Sequence, residues 1–378
     1  MIYFDNAASG YFKPSAAIEK AVFCMKELSV NAGRSGHAPS VSAEKLVFST
    51  RSVLSKSFNN GPIARVILTA NCTTALNFAL FGLKTEKRRI VSTVTEHNSV
   101  LRPLYAMEKS GYKPVFADFS IKPYITAEDV LSLVDGETAF VVMNAVSNVT
   151  GYKNEYERVG AALKKSGVPL IVDGAQAAGH IRINMLEDGI SCLTVAGHKG
   201  LLSVQGAGAL IFTDDVTIEP TLFGGSGTEA FEKIPSVYPE RLEAGTLNLP
   251  AIASLGVGAK YAHDNIATIG ETLTDRTKYL IDGLNAIKGV RVFSDKNPFG
   301  ICAFKVDGVS SVDAARIYDE RFSICVRGGF HCAPLIHKAL KTDDDGLIRA
   351  SLSTYSTVFE INAFLNATEK IASLSDVR

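Results

Sequence analysis

The chain has 378 residues, with 39 basic and 39 acidic side chains and a formal net charge of zero. Hydrophobic residues make up 46% and charged residues 21%, which excludes a disordered polypeptide. Without excess positive charge, binding to a nucleic acid backbone is not expected. The N-terminal MIYFDNAASGYF lacks the pattern of a signal peptide, and the apolar runs are far shorter than the ~20 residues that span a bilayer. Six cysteines without a CxxC pair do not indicate a disulfide framework, so we expect a cytoplasmic location. Apart from Cys332, they lie mostly in apolar runs and are interpreted as packing residues, Cys72 among them.

Short apolar runs alternate with helical patterns through the first part of the chain. This alternation predicts an α/β fold with a mostly parallel sheet flanked by helices. In such sheets ligands bind at the carboxyl ends of the strands, so functional residues are expected directly after them. The predicted strands are 65–69, 89–93, 113–117, 138–143, 169–172, 192–195 and 207–212, and the predicted helices between them are 74–82, 100–110, 127–134 and 156–166.

The pattern changes after residue 249. One long helical pattern covers 252–287, and shorter elements follow it. We predict a large domain over 16–249 and a smaller α+β domain over 250–378, to which an N-terminal arm over 1–15 also belongs. The predicted small-domain elements are strands near 290–293, 301–306, 324–326 and 347–350, with helices near 311–318 and 358–373.

Two polar residues follow apolar strands in the segments IVDGAQAAGH and TVAGHKG. Asp173 ends one strand and Lys199 lies 26 residues later, just after the next. A buried lysine with a lowered pKa is the usual covalent anchor of a carbonyl cofactor. A carboxylate opposite a pyridinium nitrogen is the usual partner of pyridoxal phosphate. The alternative is a simple ion pair between Asp173 and Lys199 at the sheet edge.

Three further segments place polar side chains after strands. In LTANCTTALN, Thr73 and Thr74 begin a predicted helix, whose N-terminus suits a phosphate group, although N-capping explains threonine equally well. In VTEHNSV, His97 is positioned to stack on a flat cofactor or to move protons, with a purely structural histidine as the alternative. In VSNVTG, Asn148 is either a site residue or a turn cap.

The segment VRGGFHCAPLIHK predicts an exposed cysteine loop. Cys332 follows two glycines, which we expect to give the loop mobility. We expect His331 and Lys338 to provide a positive field that favours the thiolate. An incidental loop cysteine is the alternative, whereas a zinc site lacks a second pair of ligands. In GLIRASLSTY, Arg349 offers a guanidinium group that matches a carboxylate.

Eight segments in order resemble the class V pyridoxal-phosphate enzymes, and within them the cysteine desulfurases with a compact cysteine loop, a branch that includes selenocysteine lyases. The resemblance implies a type I pyridoxal-phosphate transferase fold, a homodimer with active sites at the subunit interface, and a sulfur-acceptor protein that serves, for example, iron–sulfur cluster assembly. The segments are YFDNAAS, TEHNS, VSNVTG, VDGAQAAGH, AGHKG, RLEAGTLN, RGGFHCAP and IRASLSTY.

The resemblance also implies residue roles. Lys199 holds the cofactor covalently, Asp173 pairs with the ring nitrogen and Gln176 with the ring hydroxyl. His97 stacks on the ring, beside which Asn148 contacts the substrate. Arg349 binds the substrate carboxylate, and Cys332 accepts the sulfur. The phosphate ligands are Thr73, Thr74, His198 and, from the partner subunit, Thr246.

The chain departs from the family pattern at two places. Ala196 stands where the family usually has serine, which removes a phosphate ligand. The loop RGGFHCAP lacks the threonine and second histidine of better-known members, so the preference between cysteine and selenocysteine stays open. The alternatives are a class V aminotransferase or epimerase that needs no thiol, and a catalytically silent sulfur-carrier scaffold.

Overall fold

Strands and helices alternate along most of the chain in the computed structural model, which describes residues 1–120, 123–227 and 229–375. Residues 121–122, 228 and 376–378, which belong to the predicted domains, lie outside the described residues. The strands are β1 (Ile2–Tyr3), β2 (Val66–Thr69), β3 (Arg89–Thr93), β4 (Lys113–Ala117), β5 (Thr138–Asn144), β6 (Leu170–Asp173), β7 (Cys192–Ala196), β8 (Gly208–Phe212), β9 (Val290–Val292), β10 (Ile301–Val306), β11 (Ile324–Cys325) and β12 (Ile348–Ser351). The helices are α1 (Ser15–Glu27), α2 (Ala38–Phe58), α3 (Cys72–Gly82), α4 (Asn98–Glu108), α5 (Ala127–Leu131), α6 (Tyr156–Ser166), α7 (Met185–Asp188), α8 (Leu249–Asp264), α9 (Ile266–Asn285), α10 (Ser311–Phe322), α11 (Pro334–Leu340) and α12 (Val358–Ser375).

The central sheet has the strand order β2-β8-β7-β6-β5-β3-β4 within the described residues. β8 runs antiparallel to both of its neighbours, and the remaining pairs are parallel. Strand β5 is buried along its whole length, as expected for a strand that is covered by helices on both faces. The predicted α/β fold with a mostly parallel sheet is confirmed.

The sequence pattern located most of these elements and misplaced others. Helix α3 begins at Cys72 rather than Thr74, because the Asn71 side chain accepts a hydrogen bond from Thr74 N and caps the helix there. The predicted single helix over 252–287 is wrong: it is two helices, α8 and α9, separated at Asn265. Helices α1, α2 and α11 were not predicted.

The C-terminal part of the chain packs around a second, smaller core. Strands β12, β10 and β9 form an antiparallel sheet, and β1 pairs with β11 so that Ile2 lies opposite Ile324. Most buried apolar residues of α8, by contrast, belong to the core of the central sheet, and Ala262 near its end packs in the smaller core. The domain boundaries stay a prediction. Among the described helices, none is both long and apolar enough to cross a membrane.

Candidate active site

A cavity of about 230 Å³ lies at the carboxyl ends of the central parallel strands. Asn144 ends β5, Asp173 ends β6 and Ala196 ends β7, and all three line the cavity. This is the sheet edge where parallel strands were expected to collect functional residues. The predicted site residues that line the cavity are Thr73, His97, Asn148, Asp173, Gln176, His198, Lys199 and Arg349.

Three predicted site residues lie outside the cavity lining. Thr74 turns to the helix cap, because its backbone N–H and its hydroxyl both bond the Asn71 side chain. Thr246 is exposed on the segment that precedes α8. Cys332 is exposed, and its contacts place it near the cavity, as described below. The phosphate roles of Thr74 and Thr246 stay predictions.

Asp173 and Lys199 occupy the floor of the cavity without pairing directly. Burial raises the pKa of Asp173, while the backbone N–H of Ala175, at 2.9 Å from Oδ1, and the charge of Lys199 oppose that rise. Burial also lowers the pKa of Lys199, against the influence of Asp173. No ion pair between the two is found among the described residues, so the simple ion-pair alternative is not what the structure shows. The space between the Asp173 carboxylate and the Lys199 amine, whose pKa is lowered, suits a ligand bound between them.

His97 is a neutral imidazole with a defined tautomer. Its Nδ1 accepts the backbone N–H of Ser99 at 3.1 Å, which leaves Nε2 to carry the proton. Burial, followed by the charge of Lys199, lowers the pKa of His97 to about 4. At neutral pH the ring is therefore uncharged and able to lie flat against an apolar surface.

The ring-hydroxyl and phosphate candidates surround the same floor. Gln176 Nε2 donates to Ala7 O at 2.9 Å. His198 Nδ1 lies 3.2 Å from Ser9 Oγ, and burial lowers the pKa of His198 to about 4. Ala196 presents no hydroxyl to the cavity, so the phosphate ligand that the family usually has at this position is missing.

Arg349 forms the opposite wall and is 1% exposed. Its Nη1 donates to Asn148 O at 2.8 Å, and its Nη2 donates to Asp5 Oδ1 at 2.9 Å. Within the described residues, Arg349 Nε and Asn148 Oδ1 are buried without a hydrogen-bond partner. Unpartnered buried polar atoms are costly, so these two atoms are groups that a ligand in the cavity can satisfy.

The cysteine loop is tied to the cavity wall by backbone contacts. Asn98 N donates to Cys332 O at 2.7 Å, and Asn148 Nδ2 donates to His331 O at 2.8 Å. Both loop residues have positive φ, 48° at His331 and 58° at Cys332. Non-glycine residues rarely adopt this conformation unless their surroundings hold them in it. The backbone of Cys332 is therefore held in place beside Asn98 and Asn148.

The positive group at the thiol is Arg327 and not, as predicted, His331. Arg327 Nη2 donates to Cys332 Sγ at 3.3 Å, and Arg327 also lines the cavity. His331 is only 2% exposed, and burial together with the nearby charge of Arg349 lowers its pKa well below the usual value. A neutral imidazole supplies no positive field.

Both loop glycines have a structural reason besides the predicted mobility: Gly328 allows close packing, and Gly329 adopts a positive φ of 96°. A Cβ at Gly328 would lie 2.2 Å from Ser311 O, and a Cβ at Gly346 would lie 2.4 Å from Gly329 O. Gly329 N also donates to Ser311 Oγ at 3.1 Å. The loop is thus pressed onto the first turn of α10 and against the residues that precede β12.

Sequence reasoning missed several residues of the site. Arg327 comes two residues after β11, a position where the strand-end rule that identified Asp173 could have found it. Cys72 was read as a packing residue, yet it lines the cavity beside Asp173. Glu96, next to His97, has no exposed surface, and burial raises its pKa to about 8. Because Glu96 stands between the polar residues Thr95 and His97, no signal in the sequence pointed to its burial.

Comparison with known proteins identifies the family. Residues 2–364 match the family Aminotransferase class-V. The chain belongs to the class-V aminotransferase family. A probable cysteine desulfurase of Pyrococcus abyssi is 30% identical over 385 residues, which cover 98% of this chain and 94% of the relative. A probable cysteine desulfurase of Methanothermobacter thermautotrophicus is 28% identical over 382 residues, covering 99% and 95%.

A solved structure agrees with these relatives. The cysteine desulfurase from Thermococcus onnurineus NA1 superposes with a TM-score of 0.89 at 28% identity and covers 98% of this chain and 94% of its own. The resemblance to cysteine desulfurases is therefore confirmed. As a class-V family member, the chain is a pyridoxal-phosphate-dependent enzyme, and the predicted cofactor is confirmed at the level of the family.

The cavity residues fit pyridoxal phosphate. The amine of Lys199, whose pKa burial lowers, faces the cavity, and Asp173 lies on the same floor. Helix α3 has eleven residues and Asn71 as its N-cap. The backbone N–H groups at its N-terminus are suited to bind an anion such as the phosphate. In the described residues, no group of three or more His, Cys, Asp or Glu side chains is arranged to hold a metal ion.

Proposed function

We propose that the protein is a cysteine desulfurase that converts L-cysteine to L-alanine and passes the sulfur to Cys332 as a persulfide. The observation that carries this proposal is the Cys332 thiol fixed at the cavity, with Arg327 Nη2 at 3.3 Å from Sγ. An aminotransferase or an epimerase has no use for a thiol held in this way.

The residue roles that the family resemblance implies are supported by a shared cavity, which all six residues line. Lys199 would hold the cofactor covalently, Asp173 would pair with its ring nitrogen and Gln176 with its ring hydroxyl, and His97 would stack on the ring. Thr73 and His198 would bind the phosphate. Pyridoxal phosphate, when bound, supplies the electron sink that makes the substrate Cα–H acidic and weakens the Cβ–S bond.

The substrate is held by the opposite wall. Arg349 Nε, unpartnered and buried, donates to the substrate carboxylate, while Asp5 and Asn148 O fix the guanidinium plane. Asn148 Nδ2 is already bonded to His331 O, so Asn148 presents its Oδ1 to the substrate side as an acceptor. This orientation makes Asn148 a link between the substrate and the cysteine loop.

The chain's own groups then move the proton and the sulfur. Lys199 Nζ, whose pKa burial lowers, takes the proton from the substrate Cα. Cys332 Sγ attacks the substrate sulfur, so that an Sγ–S bond forms while the S–Cβ bond breaks. The Cβ atom keeps the electron pair and takes up a proton to become the methyl group of alanine. The carbon is thereby reduced, and the transferred sulfur is oxidised to the level of a persulfide.

The finer features of the reaction are part of the same proposal. Exposed apolar side chains around the Thr246 segment, namely Leu222, Phe223 and Phe231, support a homodimer in which Thr246 reaches the partner's site. The exposed thiol supports delivery of sulfur to an acceptor protein, including for iron–sulfur cluster assembly. Six unpaired cysteines support a cytoplasmic, reducing location.

The test is to incubate the purified protein with L-cysteine and a reductant and to measure alanine and sulfide. We expect both products in equal amounts. Cys332→Ala is expected to keep the visible absorption of the cofactor and to lose at least about 100-fold in turnover, because it lacks the covalent nucleophile. Transamination of L-cysteine without formation of alanine would refute the proposal, and so would full turnover by Cys332→Ala. Parallel kinetics with selenocysteine distinguish a desulfurase from a selenocysteine lyase.

A further inference from the structure

A second cysteine, Cys72, lines the cavity floor in contact with Asp173. Its Sγ is 3.6 Å from Asp173 Oδ1 and 3.4 Å from Thr194 Oγ1. Cys72 is the first residue of α3, and Thr194 lies on β7 opposite Asp173 on β6. Three neighbouring elements therefore bring a thiol, a hydroxyl and the carboxylate together.

The donors and acceptors in this cluster have only one consistent arrangement when Asp173 is ionised. A carboxylate can only accept, so the S–H of Cys72 points to Asp173 Oδ1. The Thr194 hydroxyl, which has no exposed surface, then donates to Cys72 Sγ. Burial and the neighbouring charge of Asp173 raise the pKa of Cys72 well above its usual value, so the thiol keeps its proton.

The hydrogen bonds to Asp173 converge on one oxygen. Within the described residues, Ala175 N and Cys72 Sγ both donate to Oδ1. Oδ2 is left for the cavity, where the ring nitrogen of the cofactor is expected. Two fixed donors on Oδ1 hold the carboxylate plane and favour its ionised form against the cost of burial.

We propose that Cys72 is a positioning residue whose thiol donates to Asp173 Oδ1 and keeps Oδ2 ionised and directed at the cofactor's ring nitrogen. The inference rests on the family's cofactor and not on the choice of sulfur substrate. Cys72 touches no substrate atom in this account and acts only through Asp173.

Three variants of Cys72 separate this role from simple packing. Cys72→Ser keeps a donor, Cys72→Ala removes it and leaves a small void, and Cys72→Val removes it while filling the volume. The dissociation constant for pyridoxal phosphate is measured on the cofactor-free proteins. We expect it to rise about fivefold in the Ala and Val variants, the equivalent of one hydrogen bond, and to stay near the wild-type value in Cys72→Ser.

The second readout is the visible spectrum of each cofactor-loaded protein as a function of pH. Asp173 faces Lys199, Glu96 and Cys72, and loss of the thiol donor makes its ionised form harder to keep. The acid-side spectral transition should therefore move to higher pH in the Ala and Val variants and not in the Ser variant.

The outcomes are distinguishable from a failure of the proposed function. Wild-type affinity and an unshifted transition in Cys72→Val would overturn the inference, and so would Cys72→Ser behaving like Cys72→Ala. If circular dichroism shows that Cys72→Ala and Cys72→Val do not fold, Cys72→Ser decides the question. Weakened cofactor binding in Cys72→Ser would contradict the positioning role. Absence of sulfide release from cysteine, with these spectral effects intact, would refute only the desulfurase assignment.

Discussion

Arg327 is the side chain that distinguishes the Cys332 thiol from an incidental surface cysteine. Its guanidinium donates a hydrogen bond to Cys332 Sγ, and Arg327 also lines the cavity. A cation that donates a hydrogen bond to sulfur stabilises the thiolate, which is the reactive form. The histidine beside the cysteine cannot do this, because His331 is buried and neutral.

Replacing Arg327 tests this assignment directly. Arg327→Ala should slow alkylation of Cys332 by iodoacetamide at pH 7 by about fivefold, because one charged hydrogen bond to sulfur is lost at a partly exposed site. Mass spectrometry of the Cys332 peptide gives the rate. Lys338→Ala is the matched control, since Lys338 is the other predicted source of positive charge. Equal slowing in both variants, or slowing in the control alone, would contradict the role of Arg327.

At the level of elements, the cysteine loop is held by packing against α10. The prediction concerns Gly328, where an added Cβ would lie 2.2 Å from Ser311 O, a backbone atom that cannot easily move. Gly328→Ala should shift the loop, reduce sulfide release by about tenfold or more and leave the cofactor spectrum intact, because a displacement of ~1 Å is costly in a positioned nucleophile.

Gly136→Ala is the control for this experiment, because a Cβ at Gly136 meets no atom within 4 Å. It should behave as the wild type in both assays. A fully active Gly328→Ala variant would show that the loop tolerates displacement and would restore mobility as the reason for its glycines.

The comparison of elements shows what sequence patterns can and cannot give. Strands β3 and β4 were predicted at their observed bounds, because each contains a short apolar run, IV in β3 and VFA in β4. Strand-end logic also found Asp173 and His97. The burial of individual side chains could not be predicted from the sequence. The neutrality of His331, for example, depends on Arg349 in β12, which is near it only in the folded chain.

Tertiary packing also explains the other differences. Gly328 was assigned to mobility because the proximity of Ser311 is invisible in sequence, and Cys72 was assigned to packing because Asp173 lies 101 residues away along the chain. The break between α8 and α9 escaped the helical pattern because a single residue, Asn265, separates the two helices and neither proline nor glycine stands at the junction.

At the scale of the whole molecule, the proposed homodimer places Thr246 in the partner's site. Thr246 is exposed, and Arg34 Nη2 holds its segment through Gly225 O at 3.0 Å and Gly245 O at 2.7 Å. Mixing a Lys199→Ala chain with a Thr246→Ala chain should restore activity, because a mixed dimer then contains one site with neither change. Each variant alone is the control. No recovery on mixing would place Thr246 in the site of its own chain.

The buried histidines predict how the stability of the whole chain depends on pH. Burial lowers the pKa of five of them in the folded state, to about 4 in three cases. Below pH 6.5 the unfolded chain binds protons at these side chains and the folded chain does not, so the free energy of unfolding falls as the pH falls. The histidines are His97, His180, His198, His331 and His337.

A smaller group of carboxyls acts in the opposite direction. Burial raises the pKa of Glu96 to about 8 and also raises those of Asp173 and Asp188, so the folded chain holds these protons more tightly. The histidines outnumber them, and the urea midpoint should drop clearly between pH 7 and pH 5. His337→Asn removes one of these histidines and should therefore make the drop in the urea midpoint smaller. A midpoint that rises toward pH 5 would contradict this balance.

The central claim is that the substrate sulfur passes to Cys332, and one measurement tests it most directly. The cofactor-loaded protein is mixed briefly with L-cysteine labelled at sulfur, without reductant, and all six cysteine peptides are examined by mass spectrometry. The account predicts one labelled sulfur atom on Cys332 of the wild type and none on any peptide of Cys332→Ala. Label on a different cysteine, or sulfide release by Cys332→Ala at the wild-type rate, would contradict it.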